Sequence, residues 1–476
     1  MRHQTEKRGN SMSKIIIGTE EITAYHGEIL AEALLRAGYP VNRPCGGRGM
    51  CGKCLVTVDG EEVLACRYRV NGDIHVTLPE KKDIVSVTGV TESFTATEHQ
   101  VLALDIGTTT LAMALVSLDS GKVVRRVTRT NPQTSFGADV ISRIGHCMSH
   151  GASELQRVLI REINAMIRSL CLSRVPYLYA AGNTTMLHLF CGVDCSSLGK
   201  APYTPVFLEA QTLDASSLGI EGVDTVVTLP GAAAFVGADI SAGLGHIASP
   251  KDGCHSLLID LGTNAEIVLF NRSHALCTAA AAGPCFEGAN ISCGMSATDG
   301  AICRVVGDDP LLCETIGHKK ACGICGTGLI DVIAALLDNE TIDETGFMED
   351  GRAELAEGVF LTQADVREYQ LAKSAVCSGV MTLLETAGIT AADIDTVYLA
   401  GGFAAEISIR SAVRTGLLPE ELTGKCVSIG NSSLLGTVDY ALGNRRADAI
   451  TKNMTYIDLA ASPVFTAHFT DNMLFE

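Results

Sequence analysis

Residues 102–110 read LALDIGTTT and residues 257–265 read LLIDLGTNA, two copies of one pattern spaced 155 residues apart. In each, an apolar run ends in an Asp-x-Gly-Thr turn and re-emerges as a second apolar run, LAMALV in the first copy and EIVLF in the second. That is two buried strands joined by a tight turn. In the first copy a further strand follows the Asp-Ser-Gly turn at 119–121. A second matched pair, YLYAAGNTTM at 177–186 and VYLAGGFAAE at 397–406, ends a strand and opens a short helix in each half. Between the strands lie helical stretches. Ala152 to Leu172 places Leu155, Val158, Ile163, Met166, Ile167 and Leu170 on one face, and Leu329 to Leu337 is apolar throughout its core positions. A repeat of this reach duplicates whole lobes, so the chain must fold as two similar α/β lobes with a cleft between them.

The turns carry legible chemistry. Gly107, Thr108 and Thr109 follow Asp105, and Gly262, Thr263 and Asn264 follow Asp260. Small residues and free N–H groups can approach phosphate oxygens there, while each Asp carboxylate holds magnesium through water. Gly401 and Gly402 let a nucleoside lie against the backbone where a side chain would collide, and the helix after them offers its N-terminus to a phosphate. A single Asp-x-Gly-Thr is a common turn between buried strands. Two copies in register, with GNTT and AGGF, resemble the actin-fold phosphotransferase superfamily of sugar kinases, acetate kinase, chaperone ATPases and actin, which implies ATP and Mg2+ in the cleft.

Upstream of the repeat stands PCGGRGMCGKC, with Cys45, Cys51, Cys54 and then Cys66. Four thiolates on a loop that Gly46, Gly47, Gly49 and Gly52 allow to curl are the ligand set of a 2Fe-2S cluster. Five and then two residues separate the first three cysteines, the adrenodoxin-type variant of the plant-type spacing, and eleven separate Cys54 from Cys66. A structural zinc site uses a shorter first gap. The flanks predict strands at Lys14–Ile17, Glu21–Ala24 and Leu55–Val58 and a helix at Glu28–Arg36, the order of a β-grasp ferredoxin. The expected domains are a ferredoxin-like domain at 12–80, a polar Thr- and Ser-rich linker at 81–100, ATPase lobe I at 101–250, and lobe II with a C-terminal return segment at 251–476.

Composition narrows the partners. A net charge of −18 leaves no basic face for nucleic acid, since Arg125 to Arg129 and the pair Arg445 and Arg446 are short. Hydrophobic residues make up 47%, yet the longest candidate span, Thr225 to Ala238, is broken by Pro230, Gly231 and Gly237, which argues against a membrane. The first residues, MRHQTEKRGNSM, have no apolar core of a secretory signal, and Met12 is an alternative start. Eighteen cysteines without such a signal fit a reducing cytoplasm. Of the remaining cysteines, Cys322-Gly-Ile-Cys325 with Cys285, Cys293, Cys303 and Cys313 lacks the tight spacing of a second cluster and reads as buried small residues. His188, inside MLHLF, reads as a satisfied core histidine.

A ferredoxin domain joined to an actin-fold ATPase resembles the reductive activators of corrinoid-dependent methyltransferases. Further strings carry the resemblance: NPQTSFGADVISRI at 131–144, AAGPCFEGANISCGM at 281–295, CGICGTGLIDVIAAL at 322–336 and GNSSLLG at 430–436. It implies an ATP-driven, one-electron return of inactive cobalt(II) corrinoid to cobalt(I), with a corrinoid protein and a low-potential electron donor as partners; a homodimer is left open. By that analogy Asp105, Asp260, Thr108 and Thr263 handle magnesium and phosphates, Glu266 orients the attacking water, and Asn183 and Asn431 line the cleft. The chain leaves no room for the additional middle domain of longer members. Two other readings share the nucleotide motifs: a small-molecule kinase with a regulatory cluster, weakened by the lack of a recognisable catalytic aspartate segment, and a nucleotide-gated redox sensor that grips a partner.

Overall fold

The first sheet is built from short strands around a single helix. In the computed structural model, which describes residues 12–39, 41, 43, 49, 54–79, 99–137, 139–170, 174–307, 311–402 and 406–475, β1 (Met12–Ile17) and β2 (Glu20–Tyr25) form an antiparallel hairpin. Helix α1 (Leu30–Arg36) follows, then the hairpin β3 (Leu55–Val58) and β4 (Glu61–Leu64), and β5 (Ile74–Thr77). Strand β5 enters between the two hairpins, parallel to β1, giving the order β2-β1-β5-β3-β4. Alternation in β5, with Ile74 and Val76 inward and His75 and Thr77 outward, places one face of the sheet on Leu30, Ala33 and Leu34 of α1.

The duplication inferred from the Asp-x-Gly-Thr turns is visible in the topology. The first large sheet contains β6 (Gln100–Ile106), β7 (Thr110–Ser117), β8 (Val123–Thr130), β9 (Val175–Gly182), β10 (Thr212–Asp214) and β11 (Val223–Thr228), ordered β10-β11-β9-β6-β7-β8. Helices α2 (Val140–His150), α3 (Ser153–Ser169), α4 (Thr184–Phe190) and α5 (Ala238–His246) belong to the same stretch of chain. The second contains β12 (His255–Leu261), β13 (Ala265–Phe270), β14 (Ala275–Ala280), β20 (Ile394–Ala400), β21 (Cys426–Gly430) and β22 (Met454–Tyr456), ordered β21-β20-β12-β13-β14-β22. In both, the strand before the turn pairs antiparallel with the next strand and parallel with a later one. Inserted between β14 and β20 are β15 (Ala301–Val306), β16 (Leu312–Thr315), β17 (Gly323–Ile324), α6 (Gly326–Asp338), the hairpin β18 (Arg352–Ala356) and β19 (Val359–Thr362), and the 25-residue α7 (Gln363–Ala387). Helix α7 starts on a capping box in which Thr362 and Asp365 satisfy each other's backbone N–H groups.

The lobes exchange material. After α8 (Ile409–Arg414) and β21, helix α9 (Ser432–Ala441) and Ala447 at the start of α10 (Arg446–Lys452) pack into the first lobe's core through Leu434, Val438, Tyr440 and Ala441. Helix α5 touches both cores, with Ala238 and Ala242 toward the first and Ile240 and Leu244 toward the second sheet's Leu258 and Val268. Gly436 makes the α5–α9 crossing close: a Cβ there would stand 1.9 Å from the Ala242 carbonyl oxygen. The chain returns through β22 to α11 (Pro463–Asp471), and Phe475 buries beside α7. Among the described residues no helix is long and apolar enough to cross a membrane.

Candidate functional site

Each phosphate turn sits where a buried parallel strand stops. Asp105 is the penultimate residue of β6, and Gly107 N donates to Thr110 O at 3.0 Å; Asp260 is the penultimate residue of β12, and Gly262 N donates to Asn264 O at 2.9 Å. The two turns face each other across the cleft. Thr109 Oγ1 in the first lobe donates to Glu287 Oε2 in the second at 3.0 Å. The Thr263 hydroxyl faces the same carboxylate without closing a hydrogen bond. Asn183 caps α4 and donates from Nδ2 to Thr108 Oγ1 at 3.1 Å. Asn431 caps α9 and donates to Asp105 Oδ2 at 2.8 Å, while Ser433 Oγ donates to Asp105 Oδ1 at 2.7 Å.

Gly401 closes the second turn from the side. It follows the last residue of β20 with φ of 110°, and a Cβ there would lie 2.2 Å from Leu261 O, so only glycine fits beside Asp260. The short helix expected directly after Gly402 falls on residues 403–405, which lie outside the described residues.

Carboxylates dominate the electrostatics. Glu266 is the cross-strand partner of Asp260 on β13. Asp239, at the start of α5, joins them, a residue the sequence reading missed because VGADI stands outside the strand-turn-strand repeat, its echo being FGADV at 136–140. Glu287 was missed too. Burial, followed by the charges of Asp239 and Asp105, lifts Asp260 to about 7. Burial also lifts Asp239 to about 7, with Asp105 adding to it and the Ile240 N–H opposing. Glu266 is raised well above the ordinary range by burial and then by Asp239 and Asp260. Asp105 is raised by burial against the pull of Ser433 and Asn431, and Glu287 by burial against Thr109. Such crowding is what a bound cation relieves. Ser432 Oγ and Thr263 Oγ1, buried and without hydrogen-bond partners, are ready donors to a ligand. Among the described residues no three carboxylates, thiols or imidazoles converge as a metal-ligand set.

Behind the first turn lies a buried charge for which the described residues show no ion pair. Arg143, fully buried in α2, donates to Thr108 O at 2.5 Å and to Gly137 O at 3.2 Å. Burial lowers it to about 9, against the support of Asp139 and Glu287.

Of the four cysteines expected to ligate a cluster, Cys54 and Cys66 are buried at the open end of the β3–β4 hairpin, where Ala65 N donates to Cys54 O at 2.9 Å. Their pairing at one hairpin mouth fits two ligands of a shared cluster. Cys45 and Cys51 lie outside the described residues. Elsewhere Cys325 is buried and donates to Ile302 O, and Cys322 is exposed beside Met295. His188 is fully buried, with Nδ1 2.7 Å from Thr184 O and Nε2 accepting from Val206 N at 3.0 Å, the bonding of a neutral core histidine.

Comparison with known proteins covers nearly the whole chain. A 2Fe-2S iron-sulfur cluster binding domain matches residues 13–80, the RACo middle region matches 101–248, and the C-terminal domain of RACo, the ASKHA domain, matches 255–476. The second match falls on the residues expected as the first lobe. The corrinoid activation enzyme RamQ of Eubacterium limosum is 28% identical, covering 96% of this chain and 98% of its own. The [Co(II) methylated amine-specific corrinoid protein] reductase of Methanosarcina barkeri is 28% identical over 76% of this chain and 75% of its own. The solved structure of a reductive activator for corrinoid, iron-sulfur protein superposes with a TM-score of 0.72 at 27% identity, covering 97% of this chain and 98% of that one.

Proposed function

This chain belongs to the RACo family of reductive activators for corrinoid proteins, and on that premise we propose that it returns a cobalt(II) corrinoid protein to cobalt(I) by one electron, driven by ATP. The single observation that carries the nucleotide half is the crowd of lifted carboxylates between the two phosphate turns, bridged from lobe to lobe by Thr109 and Glu287.

ATP lies between the turns in this reading, its phosphates on the backbone of Gly107–Thr109 and Gly262–Asn264, with Gly401 and Gly402 against the nucleoside. Asp105 and Asp260 would hold a magnesium ion, which would supply the positive charge that balances the phosphates. Asn431 and Ser433 keep Asp105 oriented from the far end of the chain. Asn183 holds the Thr108 hydroxyl. Asp239, lifted to about 7 by burial, or Glu266, raised well above the ordinary carboxylate range by burial and then by Asp239 and Asp260, takes the proton of the attacking water. The 2Fe-2S group supplies a one-electron carrier, with Cys54 and Cys66 as two ligands and Cys45 and Cys51 as the others.

Asp239 also removes the sequence argument against a kinase, because the cleft does hold a further aspartate. One assay separates the readings. The chain is mixed anaerobically with magnesium ATP, a low-potential donor and a cobalt(II) corrinoid protein, and the corrinoid spectrum is followed. Cobalt(I) should accumulate in quantity only with ATP and donor together. Equal cobalt(I) without ATP refutes the coupling, and phosphate transferred to a small acceptor hands the case to the kinase.

A further inference from the structure

Three successive peptide planes of the first phosphate turn are gripped from behind by one segment, residues 131–143. Asn131 Nδ2 donates to Gly107 O at 2.8 Å, Arg143 Nη2 to Thr108 O at 2.5 Å, and Asn131 N to Thr109 O at 2.8 Å. Because a peptide group is planar, each of these carbonyls shares a rigid plate with the N–H of the next residue, Thr108, Thr109 or Thr110. A phosphate that fixes those N–H groups therefore also fixes the carbonyls, and through them Asn131 and Arg143.

The same segment holds the cluster-bearing domain. Asn131 caps the turn Pro132–Ser135, with Gln133 N donating to Asn131 Oδ1 at 3.0 Å. At its end the Ser135 carbonyl accepts from Arg43 Nε at 3.1 Å. Arg43 is 6% exposed, is held on its own domain by Glu32 at 2.5 Å, and stands two residues before Cys45. Leu35 of α1 joins the first lobe's core beside this contact. The Arg43 bond is thus a polar latch on a small apolar seat.

We propose that occupancy of the first phosphate turn sets how firmly the ferredoxin-like domain docks on the first lobe, through residues 131–143 and the Arg43–Ser135 latch. The proposal rests on the nucleotide reading of the turns. Docked and released are the two states; a bound triphosphate stiffens the turn and favours the docked one, and its loss frees the domain to present its cluster elsewhere.

Hydrogen–deuterium exchange on the full, cluster-loaded chain tests this, with and without magnesium and a non-hydrolysable ATP analogue. In the native sequence, peptides over 105–112 and over 30–37 should both slow on adding nucleotide, the latter about fivefold, the weight of one net hydrogen bond. Arg43→Gln should keep the response at 105–112 and the visible cluster spectrum but lose it at 30–37. If Arg43→Gln loses its cluster, Glu32→Gln takes its place, and a weakened response at 30–37 is the expected result. A native 30–37 that ignores nucleotide while 105–112 responds overturns the latch, as does a variant that responds in full. Silence at 105–112 itself overturns the nucleotide reading, and the latch falls with it.

Discussion

Asp260 shows what a single carboxyl does when its neighbours are all of one sign. Its folded value near 7 lies above the ordinary 3.8, so between about pH 4 and 7 the native state keeps a proton that the unfolded chain has released. Stability from this group is present below that window and is lost as pH rises through it. Asp260→Asn removes the effect, so the variant should gain on the native protein between pH 5 and 8 by on the order of 1–3 kcal/mol in ligand-free urea melts. A gap that stays constant with pH would refute it. The same variant should lose ATP hydrolysis while keeping its cluster spectrum. Asp239→Asn should cut hydrolysis by roughly 10²–10⁴-fold if that carboxyl is the base, and an undiminished rate assigns the role to Glu266. Cys54→Ser should abolish visible absorption and the spin signal of the reduced centre; a colourless native protein holding zinc would remove the electron carrier altogether. Asp105 and Asp260 could be read from the sequence because duplication printed them twice. Asp239 and Glu287 could not, because neither stands on the strand-turn-strand repeat, and only the chain's path through space brings them to the turns.

At the level of elements, periodicity was a good guide to what forms and a poor one to where it packs. Helix α3 runs Ser153–Ser169 with Leu155, Val158, Ile163, Met166 and Ile167 buried, close to the predicted stretch, and β3 matches its expected bounds. An apolar stripe, however, looks the same whichever lobe it serves, so nothing in GNSSLLGTVDYA announced that α9 crosses back to the first core. The crossing itself makes a sharp test. Helix propensity alone says Gly436→Ala should stabilise α9 by about 1 kcal/mol. The Ala242 carbonyl, 1.9 Å from the new Cβ, says the helices must part, at a cost of roughly 1–3 kcal/mol. Because that carbonyl is backbone and cannot swing aside, the net change should be destabilising in thermal melts. A stabilised variant would mean that the α5–α9 contact is looser than described.

For the whole molecule, the question is how hydrolysis in one place drives an electron in another. If the corrinoid acceptor lies ~120 mV below the cluster, each ~59 mV of a one-electron gap is tenfold, and about one acceptor in a hundred is reduced unaided when the cluster is half reduced. The cobalt(II) corrinoid protein should therefore bind this chain and accelerate its ATPase, measured as phosphate release; a rate indifferent to the corrinoid protein would uncouple the two halves. The joining of a ferredoxin to an ATPase was legible from two local motifs, whereas their docking through Arg43 was not, since a lone arginine beside a cysteine loop has no pattern. The return of α9 and Ala447 to the first lobe has a further consequence, for synthesis. The first lobe's sheet is complete by Thr228, but five of its core side chains, Leu434 to Ala447, come about 200 residues later. At about 5–20 residues per second a ribosome needs roughly 10–40 s to deliver them. Through that interval the nascent first lobe carries an apolar groove with no occupant, an opening for chaperones and a hazard when translation stalls between the lobes.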